Sequence, residues 1–200
     1  MKILVTGFEP FNGSEKNSSM SVLDALPNKL NNSIIRKKLL PTEFKKSAVV
    51  LNKTIEQFNP DVVICLGEAA GRKEITPETI AFNEDHTTVP DNSGYKPKHE
   101  FIHQQGKEYY YANLQVKELV NALKEAGIPS HLSDNAGRYV CNHIMYECQY
   151  LIQDKYPNMK ACFIHLPSNY AYKKEMPTLD LDTEISGINI VISTINKLYN

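Results

Sequence analysis

The sequence lacks three features that would point to familiar classes of protein. Its 200 residues carry 22 Lys and Arg against 23 Asp and Glu, so the net charge of −1 supplies no basic surface for nucleic acid or an anionic membrane. No apolar run approaches the roughly 18–20 residues needed to cross a bilayer. The apolar part of the opening segment MKILVTGFEPF is too short for a signal peptide, so we expect a cytoplasmic protein.

Paired cysteine motifs are also missing. Cys65, Cys141, Cys148 and Cys162 form no Cys-x-x-Cys pair, which argues against a zinc ribbon or a thioredoxin-type site. The loop histidines show no metal-ligand spacing, so we expect no metal site. Disulfides are not expected in the cytoplasm, and each cysteine is therefore either a core residue or a working thiol.

The length fits one ordinary domain, residues 1–200, and the 42% hydrophobic content is typical of a globular chain. Short apolar runs that end in turn residues alternate with stretches of three-to-four apolar spacing. This alternation predicts a single three-layer α/β/α domain with a mostly parallel twisted sheet. In such sheets functional side chains emerge where the carboxyl ends of strands meet loops.

Individual elements can be predicted along the whole chain. Strands are predicted at Lys2–Thr6, Ser33–Leu40, Val62–Leu66, Thr79–Asn83, Ser130–Ser133 and Ala161–Leu166. Helices are predicted at Met20–Leu26, Glu43–Phe58, Leu114–Glu125, Val140–Lys155 and Glu184–Leu198, the first of them capped by Ser18 or Ser19. Residues 67–111 are irregular, which is typical of a functional or mobile segment, and a lid role for residues 84–111 stays open.

Cys141 stands at the predicted start of a helix, directly after the loop Asp134–Arg138. Unpaired N–H groups at a helix start carry partial positive charge, which we expect to lower the pKa of the thiol. The same groups could hold an oxyanion. The position also fits a buried structural cysteine, and Cys65 and Cys162, inside apolar strands, are interpreted as core residues.

His165 lies at the carboxyl end of a predicted buried strand, where catalytic side chains of open sheets emerge. His143, two residues after Cys141, would point to a different side of the helix and is a poor base for that thiol. From the sequence alone, we expect Glu78 to be an ordinary exposed acidic residue. These residues could form a catalytic Cys/His/acid set. Sequence spacing alone cannot establish such a set, because its members come together only in the folded protein.

Six segments of the chain together resemble one known family. They are LVTGFEPF (4–11), LPTEF (40–44), CLGEAAGR with ITPE (65–78), VPDNSG (89–94), SDNAGRYVCNHIMY (133–146) and FIHLP (163–167). In this order and spacing they resemble the pyrrolidone carboxyl peptidases, or pyroglutamyl peptidases of type I, over nearly the whole chain. The resemblance implies a cofactor-free cysteine exopeptidase that removes N-terminal pyroglutamyl residues from peptides, built on one α/β/α domain and assembled as a homotetramer.

The resemblance also implies roles for individual residues. Cys141 would be the nucleophile, His165 the general acid/base and Glu78 the residue that orients His165. Phe8 and Phe11 would sandwich the flat lactam ring. The implied substrate-binding residues are Phe8, Phe11, Thr42, Glu68, Val89, Tyr139 and Val140. A compact, neutral lactam suits an apolar slot with a few polar groups.

Three positions depart from the family pattern. Glu68 stands where the family often has Gln, which keeps an acceptor for the lactam N–H but loses a donor and adds a charge. Thr88 stands where the family usually has an Arg that helps the oxyanion site, and residues 167–177 replace a more hydrophobic loop. These departures keep two alternatives open: a degenerate homologue that binds such peptides with little turnover, and a hydrolase of another small amide.

Overall fold

Eight strands and five helices follow one another in the residues described by the computed structural model, 1–170 and 176–199. The strands are β1 (Lys2–Phe8), β2 (Lys29–Leu30), β3 (Ser33–Leu40), β4 (Val62–Glu68), β5 (Thr76–Pro77), β6 (Ile80–Phe82), β7 (Tyr109–Tyr111) and β8 (Lys160–Leu166). The helices are α1 (Ser18–Ala25), α2 (Phe44–Phe58), α3 (Val116–Glu125), α4 (Val140–Asp154) and α5 (Leu181–Tyr199). Within these ranges no helix is long and apolar enough to cross a membrane.

The main sheet has six strands in the order β2-β3-β1-β4-β8-β5. β1 pairs in parallel with β3 and β4, and β4 pairs in parallel with β8, whereas β2 and β5 are antiparallel edges. β3 and β4, the two strands that pair with β1, lie on its opposite sides, which makes a topological switch point at the carboxyl ends of β1 and β4. The predicted, mostly parallel sheet is confirmed.

Helices cover both faces of this sheet. Successive side chains of a strand point to opposite faces. In β1, Ile3 and Val5 therefore join the apolar cluster under α1, α3 and α5, whereas Leu4 joins the cluster under α2 and α4. Burial on both faces explains why the central strands are continuous apolar runs. The predicted three-layer α/β/α arrangement is confirmed.

The predicted strand Ser130–Ser133 is wrong. Only isolated bridges occur there, one between Ser130 and Ile75 and one between Ser133 and Glu78. The edge of the main sheet is instead occupied by β5, a strand of two residues that pairs with β8. The two bridges still tie the segment before Cys141 to β5, which brings that segment to the carboxyl ends of the central strands.

The predicted cap of the first helix is also wrong by one or two residues. Asn17 is the N-cap of α1, and its side-chain oxygen accepts a hydrogen bond from the backbone N–H of Ser19 at 3.0 Å. Ser18 and Ser19 already lie inside the helix. The Ser19 hydroxyl instead accepts a hydrogen bond from the backbone N–H of Phe8 at 2.9 Å, which holds the end of β1 against α1.

Candidate active site

A cavity of about 300 Å³ opens at the switch point, over the carboxyl ends of β1, β4 and β8. These strands contribute Phe8, Glu68 and His165 to its wall. The complete lining comprises Phe8, Phe11, Asn17, Thr42, Glu68, Ala69, Arg72, Asn135, Ala136, Gly137, Tyr139, Val140, Cys141 and His165. Eight of the ten residues that the family resemblance singles out therefore meet in one cavity, and the other two are Glu78 and Val89.

Cys141, in the first turn of α4, lies over a strand position that has no side chain. A Cβ atom at Gly67 would lie only 2.9 Å from the Sγ atom of Cys141. Gly67 is the register partner of His165 in the parallel pair β4–β8. Paired positions of neighbouring strands are about 4.8 Å apart and project to the same face of the sheet. The thiol and the imidazole thus lie side by side, and glycine at position 67 makes room for the sulfur.

Glu78 lies behind the imidazole of His165. Its Oε1 atom is 2.7 Å from Nδ1 of His165, and both residues are buried. The edge strand β5 sets this geometry, because Thr76 pairs with His165 and the N–H of Glu78 donates to the carbonyl of Phe163 at 2.9 Å. The exposed position that the sequence alone favours for Glu78 is therefore wrong.

Arg72 is a residue of this site to which the sequence analysis assigned no role. Its Nη1 atom donates to Oε1 of Glu78 at 2.7 Å and also to the hydroxyl of Thr76. Its Nη2 atom donates to the carbonyl oxygen of Asn135 at 3.0 Å. Arg72 thereby joins the buried glutamate to the loop before Cys141. A single arginine after a buried strand has no spacing signal, so only the fold reveals its partners.

Burial dominates the ionisation of the thiol and the imidazole. It raises the pKa of Cys141 to about 12, the charge of Glu78 adds to this rise, and the charge of Arg72 opposes it. Burial also lowers the pKa of His165, against the opposing effect of the hydrogen bond that its Nδ1 donates to Glu78. The expected lowering of the thiol pKa by the helix start is therefore wrong, since desolvation outweighs it. At neutral pH these shifts favour a neutral thiol beside a neutral imidazole.

Glu78 remains ionised in spite of its burial. Burial acts to raise the pKa of this carboxyl group, but the hydrogen bond from His165, the hydroxyl of Ser133 and the charge of Arg72 together lower it. An ionised carboxylate only accepts hydrogen bonds, so the proton of the neutral imidazole must lie on Nδ1. Nε2 of His165 is then left with a free lone pair that can accept a proton.

The first turn of α4 begins without a side-chain cap. Tyr139 is the N-cap residue and makes no capping hydrogen bond; its hydroxyl group donates instead to the carbonyl of Pro90 at 3.2 Å. The first N–H groups of a helix have no acceptor inside the helix. At this helix start those groups lie beside Cys141, where they can stabilise negative charge on a ligand oxygen.

Aromatic side chains form the walls of the cavity. The rings of Phe11 and Tyr139 lie with their centroids 5.9 Å apart, and the ring of Phe8 lies 6.4 Å from that of Phe163. The hydroxyl group of Thr42 donates to a backbone carbonyl at 2.7 Å and is therefore already satisfied. The resulting slot is apolar at its sides and polar near Cys141, which suits a small, flat, neutral group.

Glu68 lines the cavity, but its carboxylate is already occupied by the protein. One oxygen accepts from the N–H of Ser18 at 2.7 Å, the other accepts from the hydroxyl of Ser168 at 2.9 Å, and the hydroxyl of Tyr170 lies 3.0 and 3.1 Å from the two oxygens. The start of α1 stabilises this negative charge. Three donor groups of the protein thus surround the carboxylate of Glu68 and hold it in the wall of the cavity.

The structure does not place Val89 in the cavity. Val89 is 38% exposed, and its carbonyl oxygen accepts a hydrogen bond from the hydroxyl of Thr87 at 2.7 Å. Thr88 lines a second, neighbouring cavity instead. Of the altered loop 167–177, residues 171–175 lie outside the described residues.

The other sulfur and imidazole groups lie away from the cavity. Cys65, Cys148 and Cys162 are buried, and the core positions predicted for Cys65 and Cys162 are confirmed. His143 points to a different side of the helix from Cys141, as its spacing predicts. Its Nδ1 atom lies 2.8 Å from Oδ2 of Asp85. Among the described residues no group of three or more His, Cys, Asp or Glu side chains is arranged to hold a metal ion.

A cysteine at an open helix start, beside a histidine that a buried glutamate holds, is the arrangement of a cysteine-type hydrolase. The sequence model of one family of such enzymes, described as pyroglutamyl peptidase, matches residues 1–198. The chain belongs to this pyroglutamyl peptidase family of cysteine-type peptidases.

Relatives and solved structures agree with this assignment. The pyrrolidone-carboxylate peptidase of Thermosipho africanus is 44% identical over 203 residues, which cover 100% of this chain and 99% of that protein. The one from Lactobacillus helveticus is 44% identical over 97% of this chain and 98% of its own length. The crystal structure of pyroglutamyl peptidase I from Bacillus amyloliquefaciens has a TM-score of 0.95 at 36% identity, covering 98% of this chain and 97% of that one.

Proposed function

We propose that this chain is a cysteine exopeptidase that removes N-terminal pyroglutamyl residues from peptides. Cys141 acts as the nucleophile, His165 as the general acid/base, and Glu78 orients His165. The observation that carries the proposal is that the thiol and the Glu78-bound imidazole lie side by side in one cavity of about 300 Å³. The names of the relatives, pyrrolidone-carboxylate peptidases, support the substrate class.

The first chemical step transfers the pyroglutamyl group to Cys141. Sγ attacks the carbonyl carbon that joins the ring to the next residue, and Nε2 of His165 takes the thiol proton in the same step, because both groups begin neutral. The ionised Glu78 holds the other ring proton and stabilises the imidazolium that forms. The carbonyl oxygen becomes an oxyanion beside the N–H groups of the first turn of α4. The C–N bond then breaks as the imidazolium returns its proton to the leaving amine.

The second step hydrolyses the thioester. His165 is neutral again and takes a proton from a water molecule, whose oxygen attacks the acyl carbon. The C–S bond breaks, and the imidazolium gives its proton to the departing sulfur. Free pyroglutamate and the resting enzyme result. Every proton transfer in this cycle uses water and this chain's own groups.

The slot explains why a lactam is the preferred acyl group. The pyroglutamyl ring is flat and neutral, and Phe8, Phe11 and Tyr139 offer aromatic faces of matching size. An ordinary N-terminal residue would bring a charged ammonium group between these apolar faces, and its desolvation there would cost free energy that the neutral lactam does not lose. The lining therefore favours the cyclised terminus over an open one.

The test is release of a fluorescent amine from a pyroglutamyl amide by the wild type and by Cys141→Ala. We expect robust release by the wild type and a loss on the order of 10⁴-fold or more in the variant, because the nucleophile is gone. Cys148→Ala, which removes a buried thiol from the same helix, is the matched control and keeps its activity. Full activity of Cys141→Ala would overturn the proposal, and so would absence of release by a folded wild type.

We further propose that the protein acts in the cytoplasm as a homotetramer, as the family resemblance implies. The four cysteines are free, which fits a reducing compartment. Sedimentation velocity tests the assembly, with an expected mass four times the 22.7 kDa of one chain. A purely monomeric species at micromolar concentration would contradict it.

A further inference from the structure

We infer that a second cavity, next to the catalytic one, binds the residue that follows the pyroglutamyl group, and that Asp134 makes this subsite favour a cationic side chain. This inference rests on the proposed function. It specifies which chemical class of residue is preferred directly after the scissile bond, in the leaving group.

The second cavity adjoins the first. It has a volume of about 730 Å³ and shares Asn135, Gly137 and Tyr139 with the catalytic cavity. These residues form the loop that leads into Cys141. Cavities at β7 and at the far end of α4, by contrast, share no lining residue with the catalytic cavity. A peptide whose ring fills the apolar slot and whose carbonyl lies at Cys141 therefore continues into the second cavity.

The charges in most of this second cavity are balanced within the protein. Oε1 of Glu84 lies 2.6 Å from Nδ1 of His99, and Oε2 of Glu84 accepts from Nε of Arg138 at 2.9 Å. The guanidinium of Arg138 also lies over the ring of Phe82, 3.9 Å from its centroid. Both oxygens of Glu84 and the charge of Arg138 are thus already used, and Thr88 on the same lining adds no charge.

Asp134 is different. Its side chain is exposed on the lining, and within residues 1–170 and 176–199 it has no hydrogen bond and no ion pair. Its loop is held by other groups, because Ser133 Oγ accepts from the N–H of Asn135 and Asn135 Oδ1 accepts from the N–H of Gly137. The cavity therefore carries one carboxylate with which no cation of the described residues pairs. Such a charge attracts a cationic ligand group and repels an anionic one.

A flat wall in the same cavity suits a long side chain. The imidazoles of His86 and His99 are stacked, with centroids 3.9 Å apart and an angle of 15° between the ring planes. The aliphatic stem of a lysine or arginine can pack on such a surface while its charged end stays in solvent. A lysine or arginine after the pyroglutamyl group can pack its aliphatic stem on the two imidazoles and place its charged end near Asp134. The cavity therefore favours a basic residue at this position of the substrate.

The experiment compares kcat/KM for three pyroglutamyl dipeptide amides whose second residue is Lys, Gln or Glu, at low salt. The subsite is open to solvent, so we expect Lys to exceed Gln by about two- to fivefold and Glu to fall below Gln by a similar factor. In Asp134→Asn we expect the kcat/KM values for the three substrates to become nearly equal. Asp154→Asn, which removes the same charge from an exposed position at the opposite end of α4, leaves the order unchanged. Addition of 0.5 M salt weakens the preference in the wild type.

The outcomes separate this inference from the proposed function. Equal kcat/KM values for the three substrates in the wild type would overturn the subsite and leave the peptidase intact. A Lys preference that persists in Asp134→Asn would overturn the role of Asp134. Absence of cleavage of all three substrates would instead count against the proposed function.

Discussion

Two buried imidazole–carboxylate pairs lie close to α4, and only one of them faces the catalytic cavity. His165 and Glu78 are joined across 2.7 Å, and His143 and Asp85 across 2.8 Å, in both cases through Nδ1 of the histidine. The His165 pair borders the cavity that contains Cys141. The His143 pair packs into the protein, where the imidazole meets the ring of Phe44 edge-on at 5.9 Å.

The two carboxyl groups also differ in how far neighbouring groups stabilise their negative charge. Burial acts to raise the pKa of Glu78, but His165, Ser133 and Arg72 together lower it. Burial raises the pKa of Asp85 in spite of the hydrogen bond from His143 and the charge of Lys45. Each carboxylate has one buried oxygen without a hydrogen-bond partner among the described residues, but Glu78 also forms an ion pair with Arg72 at 2.7 Å. A short His–carboxylate distance is therefore not sufficient for catalysis. The pair that we assign to catalysis also has a compensating cation, access to a cavity and a neighbouring thiol.

The sharpest test of this difference is to remove each imidazole in turn. We expect His165→Gln to lower kcat/KM on the order of 10⁴-fold, because the base beside Cys141 is lost. His143→Gln is expected to keep the activity and to lower the free energy of unfolding by about 1–3 kcal/mol, since it leaves a buried carboxylate without its partner. Amide hydrolysis and thermal denaturation measure the two effects. Equal losses of activity in both variants would remove the distinction.

The carboxylates allow a second comparison. Glu78→Gln is expected to lower kcat on the order of 10³-fold, because an amide can donate to Nδ1 and so favour the wrong tautomer of His165. Asp85→Asn changes the partner of His143 only, and its kcat is expected to match that of the wild type. Steady-state kinetics on a pyroglutamyl amide provides the measurement. A large loss in Asp85→Asn would show that the inner pair also takes part in turnover.

Arg72 gives a smaller, pH-dependent effect. The reaction needs neutral His165, so activity is present above the pKa of the folded enzyme's His165 and is lost as the pH falls through it. Burial, and to a smaller extent Arg72, lower this pKa, which places the acidic limb of the wild type below 6.5. Arg72→Gln is therefore expected to move the acidic limb of kcat to higher pH and to lower the plateau by about ten- to a hundredfold.

Arg36→Gln is the control for this pH profile. It removes the same charge from an exposed position on β3, away from the cavity. We expect its acidic limb to coincide with that of the wild type. An unchanged limb in Arg72→Gln would mean that Arg72 does not influence the ionisation of His165.

Much of the fold could be predicted from the sequence because the signals are local. The apolar run Val62–Leu66 and the three-to-four spacing of Glu43–Phe58 identify β4 and α2 within one or two residues. β5 could not be predicted in this way, because a strand of two residues has no periodicity and exists only through its pairing with β8. Ser130–Ser133 follows a helix and a turn, where an α/β fold would place a strand, but it forms only two isolated bridges.

Part of the candidate site could likewise be predicted from the sequence, and part could not. The location of Cys141 at a helix start follows from local pattern, and the family resemblance adds His165 and Glu78. The ionisation of the thiol does not follow, because its pKa of about 12 depends on burial that only tertiary packing creates. Arg72 was missed for the same reason, since its contacts with Glu78 and Asn135 join segments that are separate in the sequence.

The most direct test of the account is to trap the acyl-enzyme. The wild type is mixed with excess pyroglutamyl amide, quenched in acid and digested, and the four cysteine-containing peptides are analysed by mass spectrometry. The account predicts a pyroglutamyl adduct on Cys141 alone, with Cys65, Cys148 and Cys162 unmodified, and no adduct in Cys141→Ala. An adduct on another cysteine, or turnover by Cys141→Ala at the wild-type rate, would contradict it.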